Sequence, residues 1–153
     1  MNNIPAAGII PYIKLNGVIH FLLGLETSNN KWSGFIGGYE PKDENIITTA
    51  LREFNEESGM IFENYQDFIR SELSKTTPII DITKTGRTVY IWFIEFPLEI
   101  FYTDISSIFL NNIATFTNPV CKEKSNLRWF RLSSIKNSNV LYNLKKIIKF
   151  TFL

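Results

Sequence analysis

The chain has 153 residues, 44% of them hydrophobic and 20% charged. That is enough for one ordinary domain with a proper core, residues 1–153, and excludes a disordered polymer. The net charge of +1 excludes a global pull towards nucleic acid or an anionic membrane, and the single cysteine, Cys121, excludes an internal disulfide and a multi-cysteine zinc site.

The N-terminal segment MNNIPAAGIIPY has no basic stretch followed by an apolar run, so it does not read as a signal peptide. No apolar run approaches the roughly 20 residues needed to span a bilayer. With one cysteine, these features fit a reducing compartment, and a cytoplasmic protein without membrane partners is expected. Cys121 is not expected to act as a nucleophile, because the chain's one histidine, His20, suggests no partnership with it.

Ala6 to Lys14 reads as a strand. Pro11 within it removes a ladder donor, so an edge position or a bulge is expected there. Asn16-Gly17 is a hairpin signal, and Val18 to Leu25 returns as a second strand that simply contains His20. Lys31 to Gly38 follows, with Trp32 and the pair Gly37-Gly38, where the missing Cβ lets backbone approach a ligand closely. Trp32 would either stack on a base or pack in the core.

Next comes Gly38 to Met60, GYEPKDENIITTALREFNEESGM. Asp43 is the expected N-cap of a helix, with Glu44 in its first turn, suited to the helix dipole. Ile47, Ala50, Leu51 and Phe54 fall on one stripe and Gly59 ends the helix in the left-handed conformation. Glu53, Glu56 and Glu57 share a second, solvent-facing side at spacings i, i+3 and i+4. Like charges there cost about 0.2–0.5 kcal/mol per pair, and the negative end of the dipole adds to that. Arg52 offsets part of it by reaching Glu56, and a hard divalent cation would offset more. A solvated acidic face is the other reading of the same three glutamates.

Ile61 to Ser74 is open between a short strand and a helical turn. Thr76-Thr77-Pro78 breaks the chain, and Ile79 to Thr83 and Thr88 to Phe96 read as a hairpin around Lys84-Thr85-Gly86, its second arm central and buried. Asp104 to Asn112 reads as a short helix with Ile105, Ile108 and Phe109 inward. Trp129 is expected in the core. Val140 to Phe150 is an amphipathic helix with Leu141, Leu144, Ile147 and Ile148 inside and Lys145, Lys146 and Lys149 outside. The lysines read as a solvated face, or alternatively as a contact for phosphate.

The glutamate-rich stretch resembles the Nudix box, the signature of the Nudix hydrolases: Gly38, then Glu44 after five residues, then after seven more Arg52, Glu53, Phe54, Glu56, Glu57, Gly59 and Met60. Every fixed position is filled. The resemblance extends to the flanking strands and implies an α/β (α+β) fold, the Nudix α/β/α sandwich with a mixed β-sheet.

The resemblance also implies an activity: hydrolysis of a nucleoside diphosphate linked to a further group X, by attack of metal-activated water on phosphorus. Mg²⁺ or Mn²⁺ would be held by Glu56, Glu57 and Glu53, with a backbone carbonyl at Gly37. Glu53 is either ligand or general base, Arg52 fixes the glutamates, and Glu44 supports the loop–helix junction or holds a water on the metal. Lys122 to Phe130 resembles the family's closing strand, and Glu123 there is the candidate fourth carboxylate, as metal ligand or base; Asn126 stands where a second acid often sits. Gly38 and Trp32 are the candidate substrate contacts.

A nucleotide-type small molecule is the implied partner. No motif marks which one; an RNA cap is among the open substrates though nothing indicates it, and a homodimer is left open. The alternative is a catalytically weak Nudix domain that binds a nucleotide or nucleic-acid ligand as a regulator.

Overall fold

The computed structural model describes residues 3–117 and 123–152, so the reading of Cys121 and the start of the Lys122–Phe130 strand lie outside the described residues. In chain order the elements are β1 (Ala6–Leu15), β2 (Val18–Glu26), β3 (Trp32–Ser33), β4 (Phe35–Gly38), α1 (Ile46–Glu57), α2 (Gln66–Lys75), β5 (Ile79–Ile82), β6 (Thr88–Glu95), α3 (Ile105–Ile113), β7 (Lys124–Arg131) and α4 (Tyr142–Phe152). One mixed sheet runs β3-β2-β1-β6-β5, with β4 added to β1 and β7 to β2. β1 and β6 are parallel and the other pairs antiparallel.

Both hairpins form as their turn residues dictate. Asn16 and Gly17 take φ 51° and 77°, the two positive values that match the twist of the flanking strands, and Gly86 takes φ 84°. Strand alternation then divides the core in two. Ala7, Ile9, Ile13 and Leu22 face α1, α2 and α3, where they meet Leu51, Phe54, Ile69 and Phe109. Ile10, Phe21, Leu23 and Phe130 face the other way, onto Ile135, Leu144 and Ile148. Burying each such side chain is worth roughly 1.5–3 kcal/mol. The result is a sheet between helices, the α/β/α sandwich expected.

Pro11 departs from expectation. β1 lies in the middle of the sheet, not at an edge. On one side it pairs with β6 from Ala6 to Tyr12; on the other it pairs with β4 at Ala6–Ile9 and with β2 at Tyr12–Leu15. The Tyr12 carbonyl accepts from the Phe96 N–H on the β6 side. Alternation therefore turns the Pro11 nitrogen to the opposite side, into the gap where β4 has stopped and β2 has not begun. The missing donor costs no ladder bond there.

Three smaller readings change. The ambiguous Ile61–Ser74 stretch is a 3₁₀ turn at Glu63–Tyr65 running into α2. Ile108 is 44% exposed, because α3 turns only Ile105 and Phe109 inward. The N-cap of α1 is Asn45, whose Oδ1 accepts from the Thr48 N–H at 2.9 Å; Asp43 and Glu44 precede the helix. The helix ends as expected: Gly59 takes φ 67°, and the N–H groups of Met60 and Gly59 return to the carbonyls of Asn55 and Glu56.

Candidate metal centre

Arg52 is the organising side chain of the site. Its Nε and Nη2 donate to the two oxygens of Asp43 at 2.9 and 3.0 Å, and Nη2 also donates to the Gly38 carbonyl at 2.8 Å. Its Nη1 reaches Glu53 at 3.0 Å and Glu56 at 3.3 Å. One guanidinium thus ties the loop before α1 to the carboxylates on α1, with the two-pronged geometry that a planar fork allows. The Arg52 hydrogen bonds hold Asp43 at a pKa of about 2, against the desolvation of its buried position, and Asp43 in turn raises Arg52. Asp43 also accepts from Thr49 Oγ1 and the Glu40 N–H.

Glu53 and Glu57 do not face solvent. They are 8% and 3% exposed, which corrects the expectation of a solvent-facing acidic side. Glu53 rests on Gly37: a Cβ built there would lie 2.1 Å from its carboxyl carbon, so any side chain there would displace the carboxylate from this position. Burial raises the pKa of Glu53, with Arg52 opposing. Burial also holds Glu57 well above the ordinary range, with Lys124 opposing and Glu53 adding to the rise.

Lys124 is the residue that sequence reasoning missed. It is 2% exposed, and its Nζ lies 3.5 Å from Glu57 Oε1, 3.6 Å from Glu26 Oε1 and 3.0 Å from the Gly34 carbonyl, and donates to Ser33 Oγ at 2.5 Å. A lone lysine in KEKSNLRWF gives no sign of burial. The register between β2 and β7 slips between Leu25 and Glu26, so that Asn126 opposes Leu25 but Lys124 opposes Glu26. Ser125 is skipped, and the bulge brings Lys124 onto the face that carries Glu57.

Glu53, Glu57 and the exposed Glu123 each offer an oxygen, and these oxygens lie within 4.8 Å of one another. Glu57 Oε2 is buried and, among the described residues, meets no lysine, arginine, hydroxyl or amide donor. A buried acceptor without a partner is costly, and hard carboxylate oxygens converging on it suit Mg²⁺ or Mn²⁺; the donor set fits the expected ion. Of the other expected residues, Glu56 lies outside this trio and is engaged by Arg52. Glu44 is exposed in the loop and makes no hydrogen bond among the described residues. Trp32 is not brought to the carboxylates. It packs on the α4 face against Phe130, with the Arg128 guanidinium 5.2 Å over its ring. Asn126, the departure from the family pattern, accepts from Ser106 Oγ and the Leu127 N–H.

No family model matches the chain, and no curated protein sequence matches it. Solved structures do. The chain is similar to a C. elegans Ap4A hydrolase in a binary complex, at 20% identity over 95% of this chain and 93% of that one, with a TM-score of 0.58. It is similar to the Nudix domain of Shewanella oneidensis NrtR complexed with ADP ribose, at 13% identity over 97% and 86%, with a TM-score of 0.60. A MutT/Nudix family protein from Listeria innocua matches at 15% identity over 99% and 93%, with a TM-score of 0.59. The chain therefore adopts the Nudix fold, and on that fold it carries the stretch, Gly38 to Met60, that resembles the Nudix box. No helix among the described residues is long and apolar enough to cross a membrane.

Proposed function

We propose that the protein is a divalent-metal-dependent Nudix hydrolase that cleaves a nucleoside diphosphate linked to a further group X at its phosphoric anhydride. The observation that carries this reading is the convergence of Glu53, Glu57 and Glu123 around the unpartnered Glu57 Oε2. Mg²⁺ or Mn²⁺ held by these carboxylates would polarise the phosphoryl oxygens and make a water nucleophilic near neutral pH.

The chain's own residues supply the rest. Arg52 fixes Glu53 and Glu56 from below and touches no substrate. Gly37 leaves room for the Glu53 carboxylate, and Lys124 holds Glu57 Oε1 so that Oε2 is turned free. The proton of the attacking water goes to Glu53 or to Glu123. Burial raises the pKa of Glu53, which favours proton uptake there, and Glu123 has the open position. Glu53→Gln and Glu123→Gln decide between them by which loses turnover while still binding Mn²⁺.

The deciding experiment is a panel of nucleoside triphosphates, ADP-ribose, nucleotide sugars, dinucleoside polyphosphates and capped RNA with Mg²⁺, products separated by chromatography. Glu57→Gln serves as control. We expect one class to be cleaved, and the control to lose at least about a hundredfold in rate, as loss of one charge-stabilising group typically costs. Turnover retained in the control would sink the metal assignment.

One observation favours a second reading, a domain that binds without turnover: Lys124 already supplies a positive charge to Glu57. That reading is supported instead if a panel ligand raises the melting temperature and no product forms.

A further inference from the structure

All fifteen acidic residues of the chain lie at or before Glu123, against nine basic ones in the same span. The thirty residues from Lys124 onward carry seven basic side chains and no acid. The near-neutral total therefore hides two regions of opposite sign. Lys124 is engaged inside the metal centre, but Lys136, Lys146 and Lys149 are exposed on the other face of the sheet.

They do not stand on a flat surface. Lys136, Lys145, Lys146 and Lys149 line a groove of about 700 Å³ between α4 and the 3₁₀ turn Leu132–Asn137, with Tyr142 at its side. Across α4, a second groove of about 410 Å³ runs towards β5, lined by Lys146, Lys84 and Phe150, with Asp81 as its one acid. Lys146 belongs to both. Tyr142 and Phe150 are 73% and 91% exposed, on a helix that buries Leu144 and Ile148 and half-buries Ile147 and Phe152.

The helix dipole accounts for Lys149 in the last turn but not for the rest. Lys145 and Lys149 repel at i, i+4, and α4 has no acid to relieve them. A basic groove with projecting aromatic rings is the combination that tracks a phosphate backbone and stacks its bases. An anionic bilayer fits less well, since the apolar stripe that would enter it is already packed against the sheet.

We propose that α4 and the Leu132–Asn137 turn form a binding surface for single-stranded nucleic acid. It lies on the side of the sheet opposite the carboxylates, so it is independent of the hydrolase reading. Its partners are the phosphates of an extended strand at Lys136, Lys146 and Lys149, and bases on Tyr142 and Phe150.

The test is fluorescence anisotropy of a labelled 15-nucleotide oligouridine with the full chain in EDTA, which removes any metal-dependent cleavage, at 50 to 200 mM salt. We expect binding whose logarithm falls linearly with the logarithm of salt. A Lys136→Gln/Lys146→Gln/Lys149→Gln variant should flatten that slope by about 2, at about 0.7 for each phosphate no longer neutralised. Phe150→Ala and Tyr142→Ala should each weaken binding about fivefold or more with the slope unchanged. Unchanged melting temperatures show that these exposed substitutions leave the fold intact.

Absence of binding at 50 mM salt overturns the proposal, as does a triple-lysine variant that binds like the parent. Lysine-dependent binding indifferent to both rings overturns the stacked strand. Lysine-dependent sedimentation with phosphatidylserine vesicles, without oligonucleotide binding, assigns the surface to a membrane instead.

Discussion

Asp43 shows how much a single carboxylate contributes here. Its pKa of about 2 in the fold lies below the ordinary value of 3.8, so the ionised form favours the folded state. That contribution, about 2 kcal/mol from the shift, is fully present above about pH 5 and is lost as pH falls towards 2. Asp43→Asn should therefore lower the neutral-pH melting temperature and flatten its fall between pH 5 and pH 2. Melts at a series of pH values read this directly, and parallel curves for the two proteins would contradict it.

Lys124 makes the complementary case. Lys124→Met removes the cation that Glu57 is buried against, and removing one partner of such a pair costs about 3–5 kcal/mol. Adding Glu57→Gln should return much of that loss in metal-free denaturant titrations, because the two effects share one interaction. Neither residue was legible in the sequence. Asp43 has the identity of an N-cap, and only the turn geometry that starts α1 two residues later frees it for Arg52. Lys124 owes its burial to a bulge, and strand alternation cannot be counted across a bulge of unknown position.

At the scale of elements, the junction of β4 and α1 positions the chemistry. The helix itself was readable: its stripe, its stop at Gly59 and the spacing of its carboxylates follow from a period of 3.6. The direction of its acidic side was not, since periodicity places Glu53 and Glu57 on a common side without saying what packs there. β4 supplies the answer by laying Gly37 under Glu53. Gly37→Ala should push the Glu53 carboxylate out of place. We expect at least a tenfold weaker Mn²⁺ affinity by electron paramagnetic resonance titration, from a displaced ligand. An unaltered affinity would show that Glu53 does not depend on this contact. Pro11 teaches the same lesson in the sheet. Edge position is the usual refuge of a strand proline, but a seam between two partners serves as well, and that seam is a property of β2 and β4, not of β1.

Taken whole, the molecule gathers its acidic centre from distant parts: Glu26 from β2, Gly37 from β4, Glu53 and Glu57 from α1, Glu123 and Lys124 at the start of β7. A cation bound there interacts with the fold and not with the unfolded chain. Mg²⁺ at about a hundred times its dissociation constant should then stabilise the protein by about 2.7 kcal/mol. Domains of this size generally unfold in one cooperative step, so the gain should appear as a single shifted transition, and Glu57→Gln should abolish it. A transition indifferent to Mg²⁺ would argue against a site coupled to folding.

The late arrival of Lys124 has a further consequence for biogenesis. β1, the centre of the sheet, finds its parallel partner only in β6, some eighty residues further along, and Glu57 meets its counter-charge only with β7. A ribosome that has released α1 has therefore made the glutamate-bearing helix without the means to bury it. The nascent chain must carry that acidic helix unfolded, or shielded by a chaperone or free Mg²⁺, until β7 has been made.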